Sequence, residues 1–111
     1  MRLYLDDERK TPADFNIRTY TAQATIDRLA MGGITFISFD HDLGPEDAGT
    51  GYDVAKWIEA QAATNPSFVV PDWHVHSGNP VGARNIQRAM LSAVRLSHST
   101  YVSAALDTIG Q

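Results

Sequence analysis

The sequence predicts an open, mostly parallel α/β sheet with helices on both faces and a reduced C-terminal part. Strand-like runs alternate with helix-like ones along the chain, which is the pattern of a parallel sheet. Three of the strand-like runs end in polar residues able to do chemistry, and in a parallel sheet such ends meet on one edge. The length of 111 residues suits one domain around one core. A single domain over 1–111 is expected, with its core at about 2–96 and an ambiguous tail at 97–111.

Leu3-Tyr4-Leu5 reads as a short buried strand running into Asp6-Asp7. Glu8 to Phe15 is polar and contains Pro12, so a loop is expected. Arg18-Thr19-Tyr20 is a short edge-strand candidate. Thr21 is placed to cap a helix whose buried face is Ala22, Ile26, Leu29 and Ala30, with Gly32-Gly33 stopping it. Ile34 to Phe39 is apolar and ends in Asp40, as a strand covered on both sides would be. Leu43 to Gly51 holds three glycines and Pro45 and is expected as a loop. Thr50 and Asp53 form a capping-box pattern ahead of a helix carrying Val54, Trp57, Ile58 and Ala62 on one face. Asn65-Pro66 and Pro71 bound another loop, and Trp73 to His76 reads as a strand. Asn79-Pro80 then supplies an N-cap and a first helical position, with Ile86, Ala89, Met90, Ala93 and Val94 as the buried face. In the tail, Tyr101-Val102 is a strand candidate and Ala104–Ile109 one or two helical turns.

Composition excludes several functions. There is no cysteine, so a disulfide framework and a zinc–thiolate site are both ruled out. A metal here needs oxygen or imidazole ligands, which favours magnesium, manganese or calcium. The net charge is −4, with a pI near 5.4 and only two lysines, Lys10 and Lys56. A grip on duplex nucleic acid needs a basic stripe, so no duplex partner is expected. No apolar run approaches the roughly 20 residues needed to cross a bilayer. No basic region followed by an apolar stretch marks the start. A cytoplasmic location without a membrane partner is the default expectation; oligomeric state is not legible.

The strand ends carry Asp6-Asp7, Asp40-His41-Asp42 and His76-Ser77. Carboxylates brought together repel unless a cation sits among them. A hard divalent ion, magnesium foremost and manganese as the alternative, is the economical solution. Helix capping, or pairing with Arg9, is the structural alternative for any single acid. His74 and His76 lie two apart on a strand and so share a face. With His41 they are candidates for general acid and base in displacement at phosphorus. Ser77-Gly78-Asn79-Pro80 leads into a helix whose free amides attract anions. Arg84 and Asn85 in its first turn, and Arg9 beyond the acid pair, are candidate phosphate contacts. Trp57 and Trp73 are assigned to the core, and Tyr52 is a base-stacking candidate.

These motifs bring a family into view. Leu-Tyr-Leu-Asp-Asp-Glu (3–8), Phe-Asp-His-Asp-Leu-Gly (39–44) and Thr-Gly-Tyr-Asp (50–53) resemble the acidic pair and phospho-acceptor strand of response-regulator receiver domains. That resemblance gives Asp40 the acceptor position, Asp42 a backbone carbonyl for magnesium, and Ser77 the hydroxyl after the fourth strand. The closer resemblance is to the cyclic-phosphate processing receiver domains of bacteria and phages. It adds Arg9, Pro12 and His76-Ser77-Gly78-Asn79-Pro80 with Gly82 and Asn85, and it covers about residues 3–90. It implies a flavodoxin-like fold and a metal-dependent phosphoesterase acting on a small phosphorylated substrate, a cyclic nucleotide or an RNA end. Together with the residue chemistry above, which alone brings in His74, the candidate catalytic residues are Asp40, His41, His74, His76 and Ser77. Asp6, Asp7, Asp40 and Asp42 are the candidate metal ligands, and Arg9, Asn79 and Asn85, with Arg84 from its place in the first helical turn, the candidate substrate contacts. A receiver-like module that binds a cyclic nucleotide or a protein partner without turnover is the alternative. The chain departs from signalling receivers in having no lysine after Lys56, which argues against an ordinary phosphorylation switch.

Overall fold

The computed structural model describes residues 1–109. Four strands form one parallel sheet: β1 (Arg2–Leu5), β2 (Ile17–Thr19), β3 (Phe36–Phe39) and β4 (Asp72–Val75), in the spatial order β2-β1-β3-β4. Three α-helices follow the later strands: α1 (Ala22–Ala30), α2 (Gly51–Thr64) and α3 (Pro80–Ile109). A short 3₁₀ turn occupies Glu46–Ala48. This is the open parallel sheet with helices expected of a flavodoxin-like fold. No fifth strand occurs among the described residues, in keeping with the reduced C-terminal part. None of the described helices is long and apolar enough to cross a membrane.

Sheet register explains where the core sits. Leu3 pairs with Ile37 and Leu5 with Phe39, and Ile37 and Phe39 pair with Trp73 and Val75. Alternation puts these residues on one face. There they join buried residues from all three helices: Ala22 and Leu29; Val54, Ile58 and Ala62; Ile86, Met90 and Ala93. The steps from β2 through α1 to β3, and from β3 through α2 to β4, run in the same direction across the sheet. With the usual right-handed crossover, both helices land on the same face. The other face carries Tyr4, Arg18, Ser38 and His74 in one row. There the covering groups come from the strands and the β1–β2 loop: Phe15 packs edge-on to Tyr4, and Arg2 lies over the Phe15 and Phe36 rings. Helices on both faces were expected; the described helices gather on one, because residues 6–16 join β1 to β2 without a helix.

Local signals place most element ends. The Thr21 hydroxyl accepts from the Ala24 amide and starts α1. Gly32 and Gly33 follow α1 with φ of 80° and 84°, a conformation that glycine adopts freely. Thr50 and Asp53 form the full reciprocal capping box of α2. Asn79 Oδ1 accepts from the Gly82 amide at 3.1 Å, capping α3 ahead of Pro80.

Some expectations need correction. The edge strand is Ile17–Thr19, and Tyr20 lies exposed beyond it. On α1, Ala22 and Leu29 are inward as expected and Thr25, bonded to Thr19, joins them, while Ala30 faces solvent. On α3, Val94 is exposed, whereas Leu96 packs against the core. Tyr101-Val102 is not a strand: α3 runs unbroken to Ile109. Tyr52 packs against the core beneath the Lys56 ammonium, which lies 4.8 Å from its ring centre.

Candidate active site

The parallel ladder continues one residue beyond each of three strands. The Asp6 amide donates to Thr19 O, the Asp40 amide to Leu5 O, and the His76 amide to Phe39 O. Asp6, Asp40 and His76 therefore stand in adjacent positions on the carboxyl edge, on the sheet face without helices. A potential ligand atom from each lies within 4.8 Å of the other two. The sequence expectation that these strand ends converge is met by the geometry.

Asp6 is fully buried, and both its oxygens are engaged. Oδ1 accepts from the Glu8 and Arg9 amides at 2.7 and 2.9 Å. Oδ2 accepts from Arg9 Nη1 and His76 Nε2, each at 2.9 Å. Burial pushes the Asp6 carboxyl up, but the Glu8 and Arg9 amides, the Arg9 guanidinium and His76 outweigh it. The net result holds Asp6 well below the usual carboxylate range, so it is ionised and can only accept. Arg18 completes the corner, donating from Nε and Nη2 to the Asp6 carbonyl oxygen.

His76 is held on three sides. Nε2 meets Asp6, Nδ1 lies 2.7 Å from Ser38 Oγ, and the ring stacks on Tyr4 at 4.5 Å with 3° between planes. Burial lowers its basicity, and the nearby Asp6 only partly offsets this. Both ring nitrogens are occupied, so the free general base expected of His76 is not present in this arrangement.

Arg9 links Asp6 to Asp40, its Nη1 lying 3.5 Å from Asp40 Oδ2. The other Asp40 oxygen accepts from the His41 amide at 2.8 Å. Asp6, Asp7, Glu8, Arg9, Asp40, Asp42, Gly44, Gly78 and Asn79 line an open hollow of about 440 Å³, within the size range of small-ligand sites. A hollow of about 400 Å³ at the opposite sheet edge is lined by residues such as Leu29, Trp57 and Phe68. It contains no ionisable group and has no comparable chemistry.

The remaining candidates separate by position. His41 Nδ1 lies 2.9 Å from Asp42 Oδ1, and this contact lowers the Asp42 carboxyl. The His41 ring rests against the backbone of Gly82, where a Cβ would collide with it. Asn79 Nδ2 donates to both Asp42 oxygens at 3.4 Å. Ser77 Oγ accepts from the Asn79 amide at 3.1 Å and shapes the turn into α3. His74 lies elsewhere, exposed in a hollow with Asp72, Trp73, Val75 and Gln87. Arg84 is exposed, Asn85 is half-buried, and neither lines the acidic hollow. Ser38, Tyr4 and Arg18 were not singled out from sequence. The signal for Ser38 was a polar residue inside Phe36-Ile37-Ser38-Phe39 with the same alternation as Asp40.

The donor set defines what a cation would meet. Asp6 is saturated by donors, and the His76 nitrogen nearest it carries a proton if His76 and Asp6 are bonded. Asp7 and Asp40 are the carboxylates turned to the hollow with room for a hard ion. Asp6, Asp7, Asp40 and Asp42, the four acids expected to form the cradle, all line the one hollow.

A family model described as the cyclic-phosphate processing Receiver domain matches residues 1–92. Neither the curated proteins nor the solved structures contain a match.

Proposed function

The chain belongs to the cyclic-phosphate processing receiver family, and from that premise we propose that it is a phosphoesterase opening a cyclic phosphodiester. The observation that carries this reading is the meeting of the Arg9 guanidinium, the Asp7 and Asp40 carboxylates and the turn before α3 in one hollow. Cation, carboxylates and polar turn are the groups that displacement at phosphorus requires. The substrate class is a small cyclic phosphate on a nucleotide ribose or an RNA end.

In this reading Arg9 leaves Asp40 and binds non-bridging phosphate oxygens, guided back by Asp6. Asn79 and the turn at Gly78 hold the far side of the phosphate. Asp7 and Asp40 would hold magnesium, or manganese in its place, supplying positive charge to the phosphate. Asp40 has a second available role as the attacking group, forming an aspartyl phosphate that water then hydrolyses. In either route an oxygen attacks phosphorus, a ring P–O bond breaks, and the released oxygen takes a proton. His41 and His76 are not among the residues lining the hollow, and water in the open hollow supplies that proton.

Hydrolysis of 2′,3′- and 3′,5′-cyclic nucleotides, with and without magnesium or manganese, tests the reading. Turnover is expected with metal and is expected to vanish in Asp40→Asn. Full turnover in Asp40→Asn would sink the assignment. The double engagement of His76 favours a second reading, binding without turnover. In that case cyclic nucleotide raises the melting temperature and no product forms.

A further inference from the structure

We propose that α3 is a dimerisation helix, its exposed apolar stripe packing antiparallel against the same stripe of a second copy of this chain. The inference is independent of the chemistry of the hollow and starts from the length of the helix. α2 ends at Thr64, and α3 draws level with that end at Thr100, whose Oγ1 donates to Ala63 O. Residues 101–109 continue past it as helix, flanked on one side by the loop at Pro66. They lie beyond residues 1–92, the part matched by the family. Helical stability in a protein comes mainly from packing an apolar face, yet Tyr101, Val102 and Leu106 are exposed here.

The exposed apolar residues of α3 are not scattered. Leu91, Val94, His98, Tyr101 and Ala105 follow one another at alternating steps of three and four, with Val102 beside them. That is the spacing of a coiled-coil seam. It is turned about a quarter of a circle from the core face of Ile86, Met90 and Ala93. α2 and its following loop meet the opposite flank, at Leu96 and Ser103. The seam therefore looks out past β4, the edge strand of the sheet. Gln87, one step before Leu91, bonds Trp73 on that strand.

Area, charge and symmetry select a second copy as the occupant. Leu91, Val94, Tyr101, Val102 and Leu106 are between 40% and 65% exposed and leave on the order of 500 Å² open on one protomer. A pair doubles that to about 1,000 Å², the lower limit for a specific interface. Charge fixes the direction. Arg84, Arg88 and Arg95 lie in the first half of α3, and Asp107 is the one charged residue after them. Parallel helices would set the three arginines against their own copies. Antiparallel helices bring them alongside the other copy's C-terminal end, where the helix dipole is negative. With His98 at the two-fold axis, Leu91 meets Ala105 and Val94 meets Val102 across the pair. Each helical extension then lies beside the other copy's β4 and covers an edge open to strand pairing.

Light scattering during gel filtration of the full chain, loaded at about 1 to 200 µM, tests the proposal. A particle of twice the 12.2 kDa chain mass is expected at the upper end, with a Kd in the micromolar range for so small an interface. Val102→Glu is expected to weaken association at least about 100-fold, with the helical circular dichroism signal retained. His98→Leu removes the polar residue from the seam and is expected to tighten association about 10-fold. Because the chain has no cysteine, single cysteines report the direction of packing. His98→Cys is expected to cross-link to its own copy under mild oxidation, and Ala105→Cys only when mixed with Leu91→Cys. Cross-linking of Ala105→Cys to itself would show parallel packing and overturn the arrangement. A Val102→Glu chain that still dimerises would place the contact elsewhere and overturn it too. A wild type that stays monomeric at about 200 µM would overturn the dimer altogether.

Discussion

Replacing Asp6 by alanine removes the acceptor on which the corner between β1 and the β1–β2 loop is built. Four donors lose their partner: the Glu8 and Arg9 amides, Arg9 Nη1 and His76 Nε2. Arg9 is half exposed, so water replaces Asp6 there and its contact is left out of the sum. Each backbone amide bond contributes about 1 kcal/mol, and the bond from the mostly buried His76 to a carboxylate about 1.5–3 kcal/mol. The expected destabilisation is therefore about 4 kcal/mol, in the range for removing one member of a buried ionic group. Urea unfolding followed by circular dichroism measures it. With a slope of about 1.5 kcal/mol/M for a domain of this size, the midpoint should fall by more than about 2 M. Asp6→Asn keeps the acceptor for the two amides and lets His76 change tautomer, so roughly half the loss is expected. A loss below about 1 kcal/mol in Asp6→Ala would show that the buried carboxylate does not organise this corner.

Four further outcomes are expected. His76 is harder to protonate folded than unfolded, so between its folded-state value and about 6.5 the unfolded chain binds the extra proton. Stability should be full above about pH 6.5 and decline as pH falls through that window; melting curves in His76→Gln should lack this decline. Gly51→Ala would drive a Cβ into the Asp40 carbonyl oxygen and against Ile86, so a loss of about 2–3 kcal/mol is expected in urea unfolding, together with weaker phosphate binding. Thr50→Ala removes half of the α2 capping box and should cost about 1 kcal/mol by the same measurement. Gly82→Ala would push the His41 ring away from α3, and a shift of the His41 and Asp42 resonances is expected with little change at His76.

The convergence of Asp6, Asp40 and His76 was readable because three apolar strands each end in a polar residue, and parallel pairing fixes the rest. The capping signals at Thr21, Thr50 and Asn79 were readable because they act within three residues. The partners of His76 were not: Ser38 and Asp6 lie 38 and 70 residues away, and only the sheet register brings them to the ring. The open face was hidden for a related reason. Whether a strand's second side meets a helix depends on the β1–β2 connection, and alternation in a short strand such as Leu3-Tyr4-Leu5 does not report what covers each side. The tail misled through propensity. Tyr101-Val102 favours a strand locally, yet no glycine or proline interrupts residues 83–109, and the helix simply continues.

That continuation gives α3 a mechanical property. Its 30 residues span about 45 Å, along a molecule measuring 51 × 28 × 22 Å. Its first turn is fastened at the hollow by Asn79, and Thr100 Oγ1 reaches back to Ala63 O near the end of α2. Taken as a lever about the Asn79 end, a tilt of about 10° carries residue 106 through roughly 7 Å. Because its core face and Thr100 hold α3 against α2, such a tilt has to carry α2 with it, and a spin label or fluorophore on the exposed Leu106 would register it.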